Sequence, residues 1–197
     1  MFDDTPALPA VRDSGPRTAE ISGYASVFGA QDLNGDIVER GAFARSLRRR
    51  PVRQIKMLYQ HAADKPIGVW REVREDARGL FVRGELALDL PLAEEALSLL
   101  RIGAVDGLSI GFQAVRSRRE RRSSIRRLIE VDLWEVSVVT FPMAPLARIT
   151  SVRSAPAAPA ARRPHTGADG FRQSTPPQSD VRLFTDAVRG AAHILRP

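Results

Sequence analysis

The sequence predicts a mainly β chain with helices added (α+β), a barrel or sandwich with helices packed outside it. Three observations carry that expectation. Runs of β-forming residues recur from Thr18 to Phe141, separated by turn signals. Two of the longest, 108–115 and 128–141, flank one polar connection and suit antiparallel pairing. Only two stretches in that span, 42–50 and the one opening at Pro91, carry helical signals, too few for a helical bundle or an alternating α/β chain.

Residues 1–16 hold Pro6, Pro9, Gly15 and Pro16 and read as a flexible lead-in. From Thr18 the chain reads as strand, with Ile21, Tyr24, Val27 and Phe28 as β-formers. Asn34-Gly35 marks a tight turn. Asp36-Ile37-Val38-Glu39 follows, then Gly41 and a helical piece from Ala42 to Arg50 that Pro51 ends. Ile55 to Gln60 is a strand that runs into His61, which stands at a strand-to-loop edge. Ile67–Val73 and Gly79–Ala87 form a strand pair joined through residues 74–78. Pro91 suits the first turn of a helix whose apolar face is read as Leu92, Ala96, Leu99 and Leu100. Glu94 and Glu95 favour its early turns, and Gly103 ends it. Between the last two strands, residues 116–127 form a basic hairpin loop or flap. From Ser154 the composition turns to Ala, Pro and Arg, then to Gly, Ser, Pro and Gln, with too little to bury for a fixed structure. Val181 to Leu195 recovers helical spacing through Phe184, Val188, Ala191 and Leu195. The expected organisation is a lead-in (1–16), one folded domain (17–153), a linker (154–180) and a terminal helix (181–197).

Composition narrows the chemistry. The 197 residues contain no cysteine, which removes thiol catalysis, cysteine-bound zinc and disulfides. No apolar run is long enough to span a membrane. Met1-Phe2-Asp3-Asp4 is acidic and opens no signal segment, so a cytoplasmic location is expected. The formal charge of +7 is almost wholly arginine, since Lys56 and Lys65 are the only lysines. Such a charge suits nucleic acid or an acidic protein surface equally. There is no Walker loop, no dinucleotide fingerprint and no metal-ligand spacing, so neither cofactor nor metal is expected.

One serine and one histidine stand out. Ser109 lies in Gly107-Leu108-Ser109-Ile110-Gly111, and His61 is the only histidine outside the C-terminal stretch that holds His165 and His193. A serine hydroxyl is a weak nucleophile unless a base activates it, so His61 is the base if Ser109 reacts. The glycine spacing imitates the nucleophile elbow of α/β-hydrolases. That fold needs a helix after the serine and a histidine later in the chain, whereas here Phe112 to Arg116 continues a strand. Small residues beside Ser109 leave room for another chain, although a serine in a strand is more often mere filler. Glu135 interrupts Leu133-Trp134-Glu135-Val136-Ser137-Val138-Val139-Thr140-Phe141, and a carboxylate in such a run needs a partner. Orienting an imidazole satisfies it; an arginine does so equally. Asp132 is the second candidate acid.

Together these segments, from Ser22 to Thr150, resemble the tailed-phage prohead maturation proteases, serine proteases similar in fold to the herpesvirus assemblins. The resemblance rests on five pieces in order. They are Gly23-Tyr24-Ala25-Ser26-Val27-Phe28; Asp32 with Asn34-Gly35-Asp36 and Gly41-Ala42-Phe43; Leu58-Tyr59-Gln60-His61 with Lys65-Pro66-Ile67-Gly68; Gly107 to Phe112; and Trp134 to Pro142. Two places depart from the family pattern. Ala62 follows the histidine where the family often has Asp, and Met143-Ala144 follows the closing Phe-Pro where it often has Ala-Asn.

The resemblance implies an assemblin-like β-barrel flanked by helices, with His61 as base, Ser109 as nucleophile and Glu135 as third member. It implies a serine endopeptidase inside the assembling procapsid, in the host cytoplasm, that cleaves a scaffold protein or the N-terminal arm of the major capsid protein and trims itself. A gene-transfer particle is an equal home. It also implies a possible homo-oligomer in the prohead, no membrane partner and no requirement for nucleic acid. Two other readings stand beside it: a non-enzymatic assembly or scaffold module of the same fold, and a basic nucleic-acid-binding protein.

Overall fold

In the computed structural model, residues 16–120 and 123–154 are described. The expected lead-in before Pro16, the linker and the terminal helix lie outside them. Eight strands and two helices follow in order. These are β1 (Thr18–Val27), β2 (Asp36–Val38), α1 (Ala44–Arg49), β3 (Lys56–Tyr59), β4 (Ala62–Glu75), β5 (Gly79–Ala87), α2 (Pro91–Arg101), β6 (Gly107–Arg119), β7 (Arg126–Val139) and β8 (Arg148–Ser154). A 3-10 turn, Val52–Gln54, links α1 to β3.

The sheet runs β7-β3-β4-β5-β1-β8-β6 and closes on itself through an antiparallel β6–β7 pair. Closure pairs the strands that an open sheet would leave as edges. The mainly β barrel with helices outside is therefore the architecture of the described residues. β2 adds parallel to the start of β7, while β3 adds parallel to its end. Alternation fills the barrel: Ala19 and Ile21 on β1, Leu80 and Val82 on β5, and Leu108 on β6 are all fully buried.

Several details differ from the sequence expectation. β4 begins at Ala62 rather than Ile67, so His61 is in a hairpin turn and not beside a loop. β6 extends to Arg119 and β7 begins at Arg126, so half of the expected basic loop belongs to a two-stranded arm. β8 carries no strong strand pattern in the sequence and was not expected. In α2 the buried face is Ala93, Ala96, Leu97 and Leu100, and Leu92 and Leu99 are only partly covered. That set keeps the 3.6-residue stripe but is rotated about the helix axis from the expected one, because the barrel wall and not the helix decides which side is covered. The turn before β2 runs from Asp32 to Gly35, whose φ of 82° suits glycine, and Asp32 accepts the amides of Asn34 and Asp36.

β6 and β7 pair in register Gly111↔Glu135 and then Phe112↔Leu133, so Trp134 is an extra residue on β7. This β-bulge resets the alternation. Val131 and Leu133 point into the core, and so do Val136 and Val138. Trp134 and Glu135 both face outward, with Trp134 48% exposed.

Charge pairs fasten the periphery. Asp36, buried at the start of β2, receives Arg126 through two hydrogen bonds of 2.7 and 2.5 Å. Asp76 holds the β4–β5 turn. Burial pushes its carboxyl up, but hydrogen bonds from the Arg78 amide, the Tyr24 hydroxyl, the Gly79 amide and Arg74 bring it down to about 2. A carboxyl depressed on folding stabilises the fold above its ordinary value near 4 and loses that contribution as pH falls through about 2. Melting curves of Asp76→Asn and wild type should therefore be well separated at neutral pH and converge between about pH 4 and pH 2. Equal separation at both ends of that range would show that the turn does not depend on the charge.

Candidate active site

β7 is the base on which the site is built. Val136 and Val138 point inward, so Glu135 and Ser137 project from the outer face between β3 and β6. The direct cross-strand partners on β6 are Gly111 for Glu135 and Ser109 for Ser137. Direct partners share a face, with Cβ atoms roughly 5 Å apart. Ser109, Ser137 and Glu135 therefore crowd one small area on the outside of the barrel.

His61 reaches this area from β3. Gln60 and His61 form a two-residue hairpin loop with φ of 54° and 59°, and Tyr59 pairs with Ala62 across it. Positive φ at both central residues is the type I′ pattern, which favours Asn-Gly and is strained for residues with larger side chains. The loop is held by β7. The Gln60 amide donates to the Val138 carbonyl at 2.9 Å, the Gln60 side-chain amide donates to the Thr140 hydroxyl at 2.8 Å, and the His61 amide donates to Ser137 Oγ at 3.2 Å. These anchors hold the strained turn where His61 overlies β7.

The central contact is His61 Nδ1 to Glu135 Oε1, at 2.6 Å. The Glu135 side chain is 13% exposed and that of His61 35%. A carboxylate only accepts, so Nδ1 carries a proton, and in the neutral imidazole this leaves the lone pair on Nε2. The other carboxylate oxygen, Oε2, accepts the Ser137 hydroxyl at 2.7 Å. Ser137 thus grips the acid with its hydroxyl proton and the histidine backbone with its oxygen lone pair. Gly111 makes room for this arrangement. A Cβ built there would lie 2.2 Å from Glu135 Oε1, so any side chain would expel the carboxylate.

Ser109 is 8% exposed. Among the described residues its hydroxyl forms no hydrogen bond, so the expected Ser109–His61 bond is not closed in this structure. The serine, the histidine and the first candidate acid are nevertheless gathered around Ser137. Such bonds are often long in an unliganded site and tighten when substrate binds.

Asp132 is elsewhere. It accepts two bonds from Arg50, at 3.1 and 3.0 Å, with the Ser46 hydroxyl at 3.2 Å and the Trp134 indole at 2.8 Å. Burial pushes its carboxyl up, while Trp134, Arg50 and Ser46 together hold it below its ordinary value. Its partner is thus an arginine, the alternative weighed for Glu135, and it does not contact His61. Sequence reasoning missed Ser137, Gln60 and Thr140. A small polar residue in an apolar strand and two polar residues at strand ends carry no signal without the register. Among the described residues, no group of three or more His, Asp or Glu is placed to hold a metal ion, and no helix is long and apolar enough to cross a membrane.

Comparison with known proteins places the chain in a family. Residues 9–160 match the family model described as Caudovirus prohead serine protease. The prohead protease of enterobacteria phage HK97 is 35% identical over 124 residues, covering 62% of this chain and 55% of that protein. The chain therefore spans about half the length of that curated relative. Among solved structures, the bacteriophage T4 capsid assembly protease superposes with a TM-score of 0.51 at 11% identity, covering 62% of this chain and 82% of that one. A KSHV protease bound to a hexapeptide phosphonate inhibitor gives 0.49 at 12% identity, covering 68% and 64%.

Proposed function

Because this chain belongs to the caudovirus prohead serine protease family, we propose that it is a serine endopeptidase with Ser109 as nucleophile, His61 as general base and Glu135 as the acid that orients it. The observation that carries the reading is the 2.6 Å His61–Glu135 contact, placed over Gly111 and two residue pairs along the ladder from Ser109. With Nδ1–H held by the carboxylate, Nε2 is left to take the Ser109 proton as Oγ attacks a peptide carbonyl. The same nitrogen returns the proton to the departing amine. Glu135 stays ionised throughout and stabilises the imidazolium formed on attack. Water then repeats the sequence on the acyl-enzyme and frees the second product.

The substrate in this reading is a scaffold protein or the N-terminal arm of the major capsid protein, with self-trimming in addition. The place of action is the interior of an assembling procapsid in the host cytoplasm. The reaction draws on these three side chains and water, with no cofactor assigned. A self-association of the protease inside the particle belongs to the same proposal.

A fluorophosphonate probe tests the chemistry directly. The full chain should be labelled at Ser109, and labelling should fall to background in Ser109→Ala and by at least about a hundredfold in His61→Gln. Labelling retained in His61→Gln, or absent from the wild-type protein, would favour a non-enzymatic assembly module. The unclosed Ser109–His61 bond is the observation on that module's side.

A further inference from the structure

The two-stranded arm made by the far halves of β6 and β7 is not used by the chemistry above. Residues 113–119 of β6 are exposed without a break. β6 meets β8 only at Gly107↔Arg148, so beyond that point one edge of β6 has no strand partner among the described residues. Such an edge presents unpaired backbone amides and carbonyls.

Its charges are arranged against the usual preference. Arg118 lies directly opposite Arg127, and Arg119 opposite Arg126. Like charges in direct cross-strand pairs destabilise a sheet. On the β7 side the repulsion is answered: Arg126 is bound by Asp36, and Arg127 by Glu39 and Glu120. Glu130, opposite Arg116, is occupied by Arg45. Arg116, Arg118 and Arg119 form no ion pair among the described residues, though Arg118 lies near enough to Glu120 to help depress its carboxyl.

We propose that the free edge of β6 over residues 113–119 binds an extended acidic polypeptide segment. An extended polypeptide matches the alternating donors and acceptors of a sheet edge. A strand added there sends alternate side chains to the two faces. Arg118 and Arg119, as neighbours on one strand, offer a cation on each. A rigid polyanion pressed on one face meets only half of this set. Arg116 and Arg119 lie seven and ten residues beyond Ser109 on the same strand, about 24 to 34 Å at the usual strand rise. If the segment is part of the substrate, which rests on the protease reading, its acidic run lies at that distance from the scissile bond. The binding itself does not need that reading.

The test separates the two. Full-length Ser109→Ala protein is titrated by fluorescence anisotropy with a labelled peptide of alternating Glu and Thr. A Lys/Thr peptide, a copy N-methylated at alternate amides and a single-stranded oligonucleotide of equal charge serve as comparisons. The acidic peptide should bind, more weakly as salt rises, and its Kd should increase about tenfold in Arg116→Gln/Arg118→Gln/Arg119→Gln and measurably in Arg118→Gln alone. N-methylation should weaken binding further. An unchanged Kd in the triple variant, indifference to N-methylation, or tighter binding of the oligonucleotide overturns the proposal. In the active protein, the triple variant should raise KM for a long substrate bearing the acidic run and leave a short neutral substrate unaffected. If no substrate is cleaved at all, the protease reading fails while the binding result stands.

Discussion

Ser109→Ala is expected to lower cleavage of a co-expressed capsid or scaffold protein on the order of 10⁴-fold or more. Removing the attacking oxygen leaves only whatever rate the surrounding groups give to water. Ser137 has a hydroxyl, but it is fully buried and its proton is committed to Glu135. The cost in stability should be small, within about 0.5 kcal/mol. The Ser109 hydroxyl has no hydrogen-bond partner among the described residues, so its removal orphans no donor or acceptor. Gel analysis of processed and unprocessed substrate, together with a melting curve of the purified variant, reads both quantities. Processing at the wild-type rate would falsify the assignment of Ser109.

Glu135→Gln is expected to cost less than Ser109→Ala, roughly 10² to 10⁴-fold in kcat/KM. Glutamine keeps the volume above Gly111 and can still accept from Nδ1–H through its carbonyl. It carries no charge to stabilise the imidazolium. Its amide also replaces Oε2, which now accepts the Ser137 hydroxyl. Ser137 would have to reverse from donor to acceptor while still receiving the His61 amide. The variant thus loses the charge and reverses the hydrogen bond by which Ser137 holds the acid. Asp132→Asn serves as the contrast, because its partners are Arg50, Ser46 and Trp134. It should lower the melting temperature and leave turnover near wild type. Unchanged turnover in Glu135→Gln with a lowered melting temperature would make Glu135 a structural residue and leave a Ser–His dyad.

The strands that carry the site were legible because alternation and turn chemistry are local signals. Leu108 to Val115 and Leu128 to Phe141 announce themselves as strands, and Glu135 announces itself as an acid that needs a partner. That Glu135 meets the imidazole and Asp132 an arginine was not legible, since the latter depends on Arg50, eighty-two residues away from Asp132 in the chain. The His61 turn was hidden for a different reason. Gln60-His61 has none of the Gly or Asn that normally marks a type I′ turn, and its strain is held by contacts to β7 that exist only after folding. Ser137 was hidden because a small residue in an apolar strand looks like filler until its neighbours are known. The α2 face was displaced because helical periodicity fixes the stripe's spacing and not the direction from which the barrel approaches.

The extra residue at Trp134 makes the placement of the acid a matter of parity. Were β7 to run through Trp134 with no bulge, the pleat that turns Val131 and Leu133 inward would also turn Glu135 and Ser137 into the barrel. The two-for-one pairing at Trp134, and not the acid's identity alone, therefore decides whether the carboxylate faces the apolar interior or the imidazole. Among descendants of one ancestral barrel, the presence of an acid at this position in an alignment says little by itself. Only where the bulge against β6 is kept does that acid lie on the outer face beside the histidine turn.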